Sequence, residues 1–443
     1  MSITAANAWN LALDRSICGD AQAGLDHEWL VTNGLGGYAS GTIIGATTRS
    51  YHGLLVAALR PPVERSVLVT KIDEEVEAAD EIGRVTPYKL GVNEYQDGTI
   101  DPTGYMHLDS FALEGDMPCF SYRLGEHISL DKRVWMEYGQ NTTYVQYDLR
   151  PILDEEASSA TFTLSLFPFC LARDHHSTTQ GNADWRFQVE NEGHRCLIRA
   201  NAGSHPYRLI AGSSASFSET GYWYWHVLHR RDRERGLPDV EDAYQPGVFR
   251  VRLTVGKPVT LVISAEEALP PDFGSDRHEE GVAQALDRHR RRVKQLLNVA
   301  DRSTTSLPRK DPVAARLVVA SDQFIVARPE PNTTHAPGET LKLTPNRKTV
   351  IAGYPWFTDW GRDSMISLPG LLLHTGRYSE ARGLLKAFAS YTHKGLIPNR
   401  FPDSGETPEY NTADATLWMF HALNAYTYTT HDWSLVKELY PRL

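Results

Sequence analysis

Residues 248–264 read VFRVRLTVGKPVTLVIS, and residues 281–298 read GVAQALDRHRRRVKQLLN. The first stretch is rich in β-branched residues and is interrupted by Gly and Pro, which indicates strands. The second stretch repeats apolar residues at three- to four-residue steps, which indicates a helix. These repeating residues are Val282, Leu286, Val293 and Leu297. The change of period near residue 275 predicts a β region followed by a helical region.

The chain before residue 270 has this strand-like character throughout. Residues 66–76, 133–149 and 160–169 are also rich in β-branched and aromatic residues, and several segments alternate polar and apolar positions. Because little of this region has a helical period, we expect an antiparallel β-sandwich over residues 1–270 rather than a parallel sheet.

The region after residue 270 divides into a linker helix over residues 271–310 and a helical domain over residues 311–443. Asp311 and Pro312 fit the N-cap and the first position of the first helix in that domain. Two long polar loops alternate with the later helices, at residues 329–353 and 394–411. This order is typical of helical hairpins around an axis, with functional residues on the loops at one end.

The composition excludes several classes of partner. The formal net charge is −10 and no basic face is evident, so we expect no nucleic-acid binding. The one basic run, DRHRRRVK at residues 287–294, is expected to be a solvated helix face. No apolar run of about 18 residues is present, so we expect no membrane span. Four widely spaced cysteines and a first segment without signal-peptide features favour a cytoplasmic protein.

The loop at residues 354–363 reads YPWFTDWGRD and combines four aromatic rings, two aspartates and one arginine. A sugar ring matches this mixture, because its C–H faces lie against aromatic rings and its hydroxyls pair with carboxylates and guanidinium groups. The structural alternative is a loop whose aromatic side chains pack into the core and whose charges form a local ion pair.

A second polar stretch, PEYNTADATLWMFHALNAY at residues 408–426, leads into a helix. Thr412 fits its N-cap and Asp414 falls in its first turn, where the helix dipole favours an anion. Asp414 is therefore either a helix-terminal charge or a catalytic carboxylate. Glu406 and Glu409 lie in the same loop and are rival candidates.

Glycoside hydrolysis needs one carboxylic acid to protonate the leaving oxygen and a second carboxylate for water or for the anomeric carbon. A general acid needs a raised pKa, whereas a helix N-terminus lowers the pKa of a carboxyl group. Burial of Asp414 against Trp418 or Trp356, or a neighbouring carboxylate, must outweigh the dipole if Asp414 is the acid.

The glycine-rich stretch at residues 28–57 contains GLGGYASG, which resembles a loose dinucleotide motif. Strands rather than a helix follow it, so we expect hairpin turns and no nucleotide cofactor. Arg49, Tyr51 and His52 are candidate polar residues at the rim of a site. The pair His175–His176 is expected at the surface, and no metal-ligand spacing occurs.

Four long segments resemble one family. Residues 28–59 and 229–249 are similar to the N-terminal domain of bacterial and archaeal-type glycogen debranching enzymes. Residues 354–373 and 410–426 resemble their amylo-α-1,6-glucosidase domain. The resemblance implies an α+β multidomain fold, with a β-sandwich followed by an (α/α)6 six-hairpin barrel. It also implies inverting hydrolysis of α-1,6-linked glucose at the branch points of glycogen or another branched α-glucan.

The same resemblance assigns roles to residues. Arg362 and Asp363 match a pair that holds the glucose at the non-reducing end, and Asp414 matches the general acid. The other residues that we expect to bind substrate are Trp356, Asp359, Trp360, Glu409 and Asn411.

The sequence departs from the family in the number of its helices. The family barrel has twelve, and this sequence supplies about five after the linker, so we expect an incomplete barrel and a catalytic base beyond Leu443. The chain then resembles a fragment, a truncated frame or half of a split enzyme. Its open helix faces would be covered by self-association or by a second chain that completes the barrel. The alternatives are a non-catalytic glucan-binding protein, a glucoamylase and an inverting disaccharide phosphorylase.

Overall fold

The computed structural model describes residues 11–80, 82–152, 161–303, 307–328, 347–401 and 407–442. Its strands are β1 (Leu11–Leu13), β2 (Glu28–Thr32), β3 (Tyr38–Thr42), β4 (Gly53–Arg60), β5 (Val63–Ala79), β6 (Val85–Lys89), β7 (Val92–Glu94), β8 (Ile100–Thr103), β9 (Leu108–Glu114), β10 (Met117–Leu124), β11 (Ile128–Met136), β12 (Thr142–Pro151), β13 (Thr161–Asp174), β14 (Gln188–Asn191), β15 (Arg195–Arg199), β16 (Tyr207–Ile210), β17 (Ser216–Leu228), β18 (Val240–Leu253), β19 (Val259–Ser264), β20 (Ile325–Ala327) and β21 (Lys348–Val350).

The helices are concentrated after the long strands. They are α1 (Arg15–Cys18), α2 (Ala21–Asp26), α3 (Arg230–Arg233), α4 (His278–Ser303), α5 (Leu307–Lys310), α6 (Pro312–Gln323), α7 (Gly361–Leu368), α8 (Tyr378–Ser390), α9 (Asp414–Thr430) and α10 (Trp433–Leu439). A π-helical turn, Pro369–Leu373, continues α7. Within the described residues, no helix is both long and apolar enough to cross a membrane.

Two large antiparallel sheets form the first part of the chain. One has nine strands in the order β1-β9-β10-β11-β12-β19-β16-β15-β14, and the other has eight, with β17-β18-β13-β5-β4-β3-β2 in line and β6 beside β5. Buried residues of both sheets, such as Leu55 and Val145, belong to one apolar core. This shared core is the arrangement of a β-sandwich, and the prediction of large antiparallel sheets is confirmed.

The glycine-rich stretch forms strands, as expected. Glu28–Thr32 pairs with Tyr38–Thr42 in register Thr32↔Tyr38, so the intervening glycines make a hairpin turn. The prediction that His175 and His176 form a surface pair is wrong for His175, whose side chain is fully buried. The ring of His175 packs 5.9 Å from the ring of Tyr51, a contact between loops that are distant in sequence.

Helix α4 links the sheets to the later helices, and part of its basic run is not a solvated face. Three of its cationic side chains are paired with acids from other elements. The prediction of a solvated face for residues 287–294 holds for Arg288, which is exposed, and is wrong for His289 and Arg292, which are largely covered. The pairs are Arg288 with Glu137, His289 with Asp116 and Arg292 with Asp322. A helix at a boundary between two parts of a chain has acidic partners on either side, which a linear pattern does not show.

The later helices pack around a second apolar core, which includes Met365, Leu384 and Met419. Helix α6 begins as predicted, because the Asp311 carboxylate accepts from the Val313 N–H and Pro312 occupies the first turn. The N-cap prediction for Thr412 is wrong: helix α9 begins one residue later, and Ala413 occupies the cap position with helical backbone angles.

Candidate active site

Three polar segments of the helical part are joined side by side through their backbones. Trp360 pairs with Arg400, and Arg400 pairs with Glu409, as isolated antiparallel β-bridges. The Gly361 N–H donates to the Asn399 carbonyl at 2.8 Å, and the Asn399 N–H donates to the Glu409 carbonyl at 2.8 Å. These bonds bring residues that are about 50 positions apart in the sequence into one small surface.

Gly361 permits this close approach. A Cβ atom at this position would lie 2.1 Å from the Pro398 carbonyl oxygen and 3.4 Å from the Ala415 Cβ. Only a residue without a side chain fits between the start of α7 and the neighbouring segment. The glycine of the quoted WGRD motif is therefore a packing requirement of the site.

The first turns of α7 and α9 present the charged residues together. The Arg362 Nη1 lies 3.4 Å from the Asp414 Oδ2, and the Arg362 Nε lies 3.8 Å from the Asp363 Oδ2. The three side chains are 47%, 41% and 38% exposed, respectively. One guanidinium group between two accessible carboxylates offers both donors and acceptors to a polyhydroxyl ligand.

Asp414 is held in its charged form. The neighbouring Thr412 hydroxyl, the Ala415 N–H and the Arg362 guanidinium lower the pKa of its carboxyl group, and burial opposes them. Hydrogen bonds and positive charge both favour the ionised form. In this state Asp414 accepts hydrogen bonds, and a role as a proton donor requires a ligand or a covering surface to remove water from it.

Glu409 and Asn411 lie on the segment that pairs with Arg400 and Asn399. The Arg400 Nη2 lies 2.9 Å from the Glu409 Oε1, and the Asn399 amide donates to the Asn411 Oδ1 at 2.9 Å. The Arg400 guanidinium is 5.9 Å from the centre of the Trp360 ring. Sequence reasoning missed Arg400, although its position in the polar loop at residues 394–411 was a usable signal. Glu406, the other rival for Asp414, lies outside the described residues.

Asp359 does not share this open surface. Its side chain is fully buried and is paired with Arg328, whose guanidinium lies 3.5 Å from the centre of the Phe401 ring. We expected Asp359 to line the sugar site, but in the structure its side chain is buried away from this surface. Arg328 was missed because nothing in its local sequence indicates a partner 31 residues away.

Trp356 points toward the β-sandwich. Arg49 and Arg235 lie 5.2 and 4.9 Å from the centre of its ring, and the Tyr51 ring lies 6.4 Å away. Arg49 and Tyr51 are rim candidates expected from the sequence, whereas Arg235 was not expected there. No cluster of three or more potential metal ligands occurs among the residues that the structure describes.

Comparison with known proteins relates both parts of the chain to one group. Residues 27–260 match the family described as "Glycogen debranching enzyme N terminal", and residues 319–443 match the family described as "Amylo-alpha-1,6-glucosidase". The glycogen debranching enzyme of Saccharomyces cerevisiae is 41% identical over 106 residues, which are 23% of this chain and 6% of the yeast protein.

A solved structure, a bacterial glucoamylase complexed with acarbose, aligns with a TM-score of 0.39 and 11% identity. The alignment covers 93% of this chain and 55% of that chain. This chain therefore spans only part of the length of either relative.

Proposed function

This chain belongs to the glycogen debranching enzyme family, and from that membership we propose that it forms part of a glycosidase acting on branched α-glucan. The proposed reaction is hydrolysis, with inversion, of the α-1,6-linked glucose at a branch point of glycogen. The proposed setting is the cytoplasm, which agrees with the four free and buried cysteines, Cys18, Cys119, Cys170 and Cys196.

The observation that carries the proposal is the cluster of Arg362, Asp363 and Asp414 at the adjoining ends of α7 and α9. In the proposal, Arg362 and Asp363 bind the hydroxyls of the terminal glucose. Trp360 lies two residues before Arg362 in the chain, and in the proposal its ring supplies an apolar face for the sugar.

Asp414 is the proposed general acid. Its pKa is lowered in the unliganded site, so protonation must follow a change in its surroundings. A glucan that covers Asp414 removes water, and sugar hydroxyls draw Arg362 away from it; both effects raise the pKa of the carboxyl group.

An inverting reaction also needs a carboxylate base, typically about 6.5–9.5 Å from the acid. We assign this base to none of the residues that the structure describes. In the proposal, a partner chain or another copy of this chain supplies the base and a cover for the site.

A second candidate is a glucan-binding role without catalysis. The lowered pKa and the exposure of Asp414 favour this candidate for the chain acting alone, because an ionised, solvated carboxylate cannot protonate a leaving oxygen.

Glucose release from phosphorylase limit dextrin, measured beside glucan binding, separates the two candidates. We expect Asp414→Asn to abolish any release while retaining binding, whereas Asp287→Asn, an exposed aspartate of the linker helix, should behave as the unmodified chain. Binding without release by the unmodified chain supports the second candidate for the chain acting alone, and the glycosidase proposal then requires the partner that supplies the base. If the unmodified chain neither releases glucose nor binds glucan, both candidate functions are contradicted.

A further inference from the structure

Two loops of the β-sandwich contact Trp356, and a third loop contacts Tyr51 in the first of them. Arg49 and Tyr51 lie between β3 and β4, His176 follows β13, and Arg235 follows α3. The Tyr51 hydroxyl lies 3.1 Å from the His176 Nδ1. These loops come from separate positions in the first 240 residues, and only the folded sandwich brings them beside the segment that leads to the catalytic cluster.

The position of Trp356 against the sandwich is fixed from both sides by its backbone neighbours. Arg65, whose side chain is almost fully buried, donates to the Pro355 carbonyl at 2.9 Å and to the Phe357 carbonyl at 2.6 Å. A buried guanidinium that holds two carbonyls leaves little freedom to the residue between them. The backbone on both sides of Trp356 is thus held against the sandwich before any ligand arrives.

The loops themselves rest on a buried polar network. Asp232 accepts from the Ser50 N–H at 2.7 Å, and Arg173 donates to the Ser50 carbonyl at 2.5 Å and to the Glu241 Oε2 at 2.8 Å. Glu241 also accepts from the Thr179 N–H at 2.8 Å. Tyr51 and the residues around it are therefore preorganised, which lowers the cost of ordering them on binding.

Arg235 differs from Arg49 in its free hydrogen-bonding capacity. Arg49 is occupied by Glu28, which accepts from its Nε at 2.9 and 3.2 Å. Arg235 is exposed, and its guanidinium has no hydrogen-bond or ion-pair partner in the part of the chain that the structure describes. A guanidinium with unused donors beside an aromatic ring suits a hydroxyl-rich, uncharged ligand.

We infer that Arg235 and Trp356, positioned by Tyr51, form an outer glucan subsite that the β-sandwich contributes to the enzyme. The inference rests on the proposed function and deepens it. Trp356 precedes Arg362 by six residues, so the two lie within about 20 Å of one another along even a fully extended chain. The subsite holds glucose units of the longer chain while Arg362 and Asp363 hold the terminal unit.

The test compares the binding of maltose and of maltoheptaose to the full chain by titration calorimetry. Arg235→Ala should weaken maltoheptaose binding roughly ten-fold, the scale of a lost hydrogen bond to a charged group, and leave maltose binding unchanged. Arg235→Lys should restore only part of the affinity, because lysine lacks the planar fork of donors. Arg233→Ala, two residues away and paired with Asp239, is the matched control, and Arg362→Ala should weaken binding of both sugars.

The melting temperature of each variant separates recognition from folding. An unchanged melting temperature with selective loss of maltoheptaose affinity in Arg235→Ala supports the outer subsite. Unchanged affinity for both sugars in that variant overturns the inference and leaves the proposed function standing. An unmodified chain that binds neither sugar overturns the proposed function itself.

Discussion

At the scale of single residues, the site depends on how one arginine is shared. Arg362 lies between Asp363 and Asp414, so the charge that keeps Asp414 ionised also provides donors for a sugar. A substrate that takes over the donors of Arg362 removes one of the influences that lower the pKa of Asp414. In the proposed function, substrate binding by Arg362 and activation of Asp414 as the acid are therefore coupled through one side chain.

Gly361→Ala tests the close approach on which this cluster depends. We expect the added methyl group, 2.1 Å from the Pro398 carbonyl oxygen, to displace the neighbouring segment and to cost about 1–3 kcal/mol of unfolding free energy. Glucan binding should weaken as well, because that segment carries Arg400. Chemical denaturation and a glycogen-binding assay measure the two effects.

Gly370→Ala is the control for this substitution, since nothing lies within 4 Å of the Cβ that it would add. It should leave both the stability and the binding nearly unchanged. Equal effects of the two substitutions would contradict the packing argument for Gly361.

The residues of the charged cluster could be named from the sequence motifs. The residues that surround the cluster could not. Arg362, Asp363 and Asp414 were identifiable because short motifs carry them. The burial of Asp359 was not predictable, because its partner Arg328 lies 31 positions earlier. Burial of His175 was missed for a similar reason, since its ring packs against Tyr51 from another loop.

At the scale of secondary-structure elements, a buried ion pair joins β13 to β18 beneath the loops that meet Trp356. Arg173 and His229 both contact the Glu241 carboxylate. Burial alone would raise the pKa of Glu241, but the charge of Arg173 and the hydrogen bonds from both partners lower it to about 2. This network connects two long strands to three surface loops.

Glu241→Gln should destabilise the β-sandwich by about 3 kcal/mol at neutral pH, because it leaves the buried Arg173 without its counter-charge. The stabilisation from the lowered pKa is complete above the ordinary value of 4.5 and is lost as the pH falls toward 2. The difference between the variant and the unmodified chain should therefore shrink over that range. Urea unfolding at several pH values measures it, and a difference that is independent of pH would contradict the assignment.

The elements were predictable wherever their signals were local. Helix α6 began as expected because Asp311 and Pro312 are adjacent to it. The environment of the basic run in α4 was not predictable, because the partner of Arg288 lies 151 positions earlier in the chain. A helical pattern gives the face that each residue occupies but not what lies opposite that face.

At the scale of the whole molecule, Asp322 connects the linker helix to the helical core. Its carboxylate accepts from the Arg292 Nη2 at 2.9 Å and from the Arg377 Nη1 at 2.6 Å. Burial opposes ionisation of Asp322, but the two guanidinium groups lower the pKa of the carboxyl group. Arg292 also lies 3.6 Å from the centre of the Tyr138 ring, so the network reaches the sandwich.

Asp322→Asn should uncouple the two parts of the chain. We expect a loss of about 3 kcal/mol of unfolding free energy, because the buried Arg377 and the partly exposed Arg292 lose their shared carboxylate. The loss should fall on the helical part, so that its calorimetric transition moves to lower temperature and separates from that of the sandwich. Asp287→Asn on the exposed side of α4 is the control. A single transition that shifts as a unit would contradict the uncoupling.

Helix α9 carries apolar residues on both its inner and its outer face. Its inner face is buried, with Met419 and Leu423 in the core. On its outer face, Leu417, Phe420 and Tyr428 are 68%, 47% and 82% exposed. A helix that is apolar on all sides is typical of the interior of a protein, and an exposed apolar stripe of this kind marks an association surface.

Leu417→Glu combined with Phe420→Glu tests whether this stripe associates with another copy of the chain. We expect the unmodified chain to form concentration-dependent oligomers and the double variant to remain monomeric, because charged side chains cannot be buried without partners. Sedimentation velocity over a range of concentrations measures the change. Ile82→Glu replaces an apolar residue that is 84% exposed in the sandwich and should leave association unchanged. If both proteins sediment as monomers, the prediction that this stripe joins two copies of the chain is wrong.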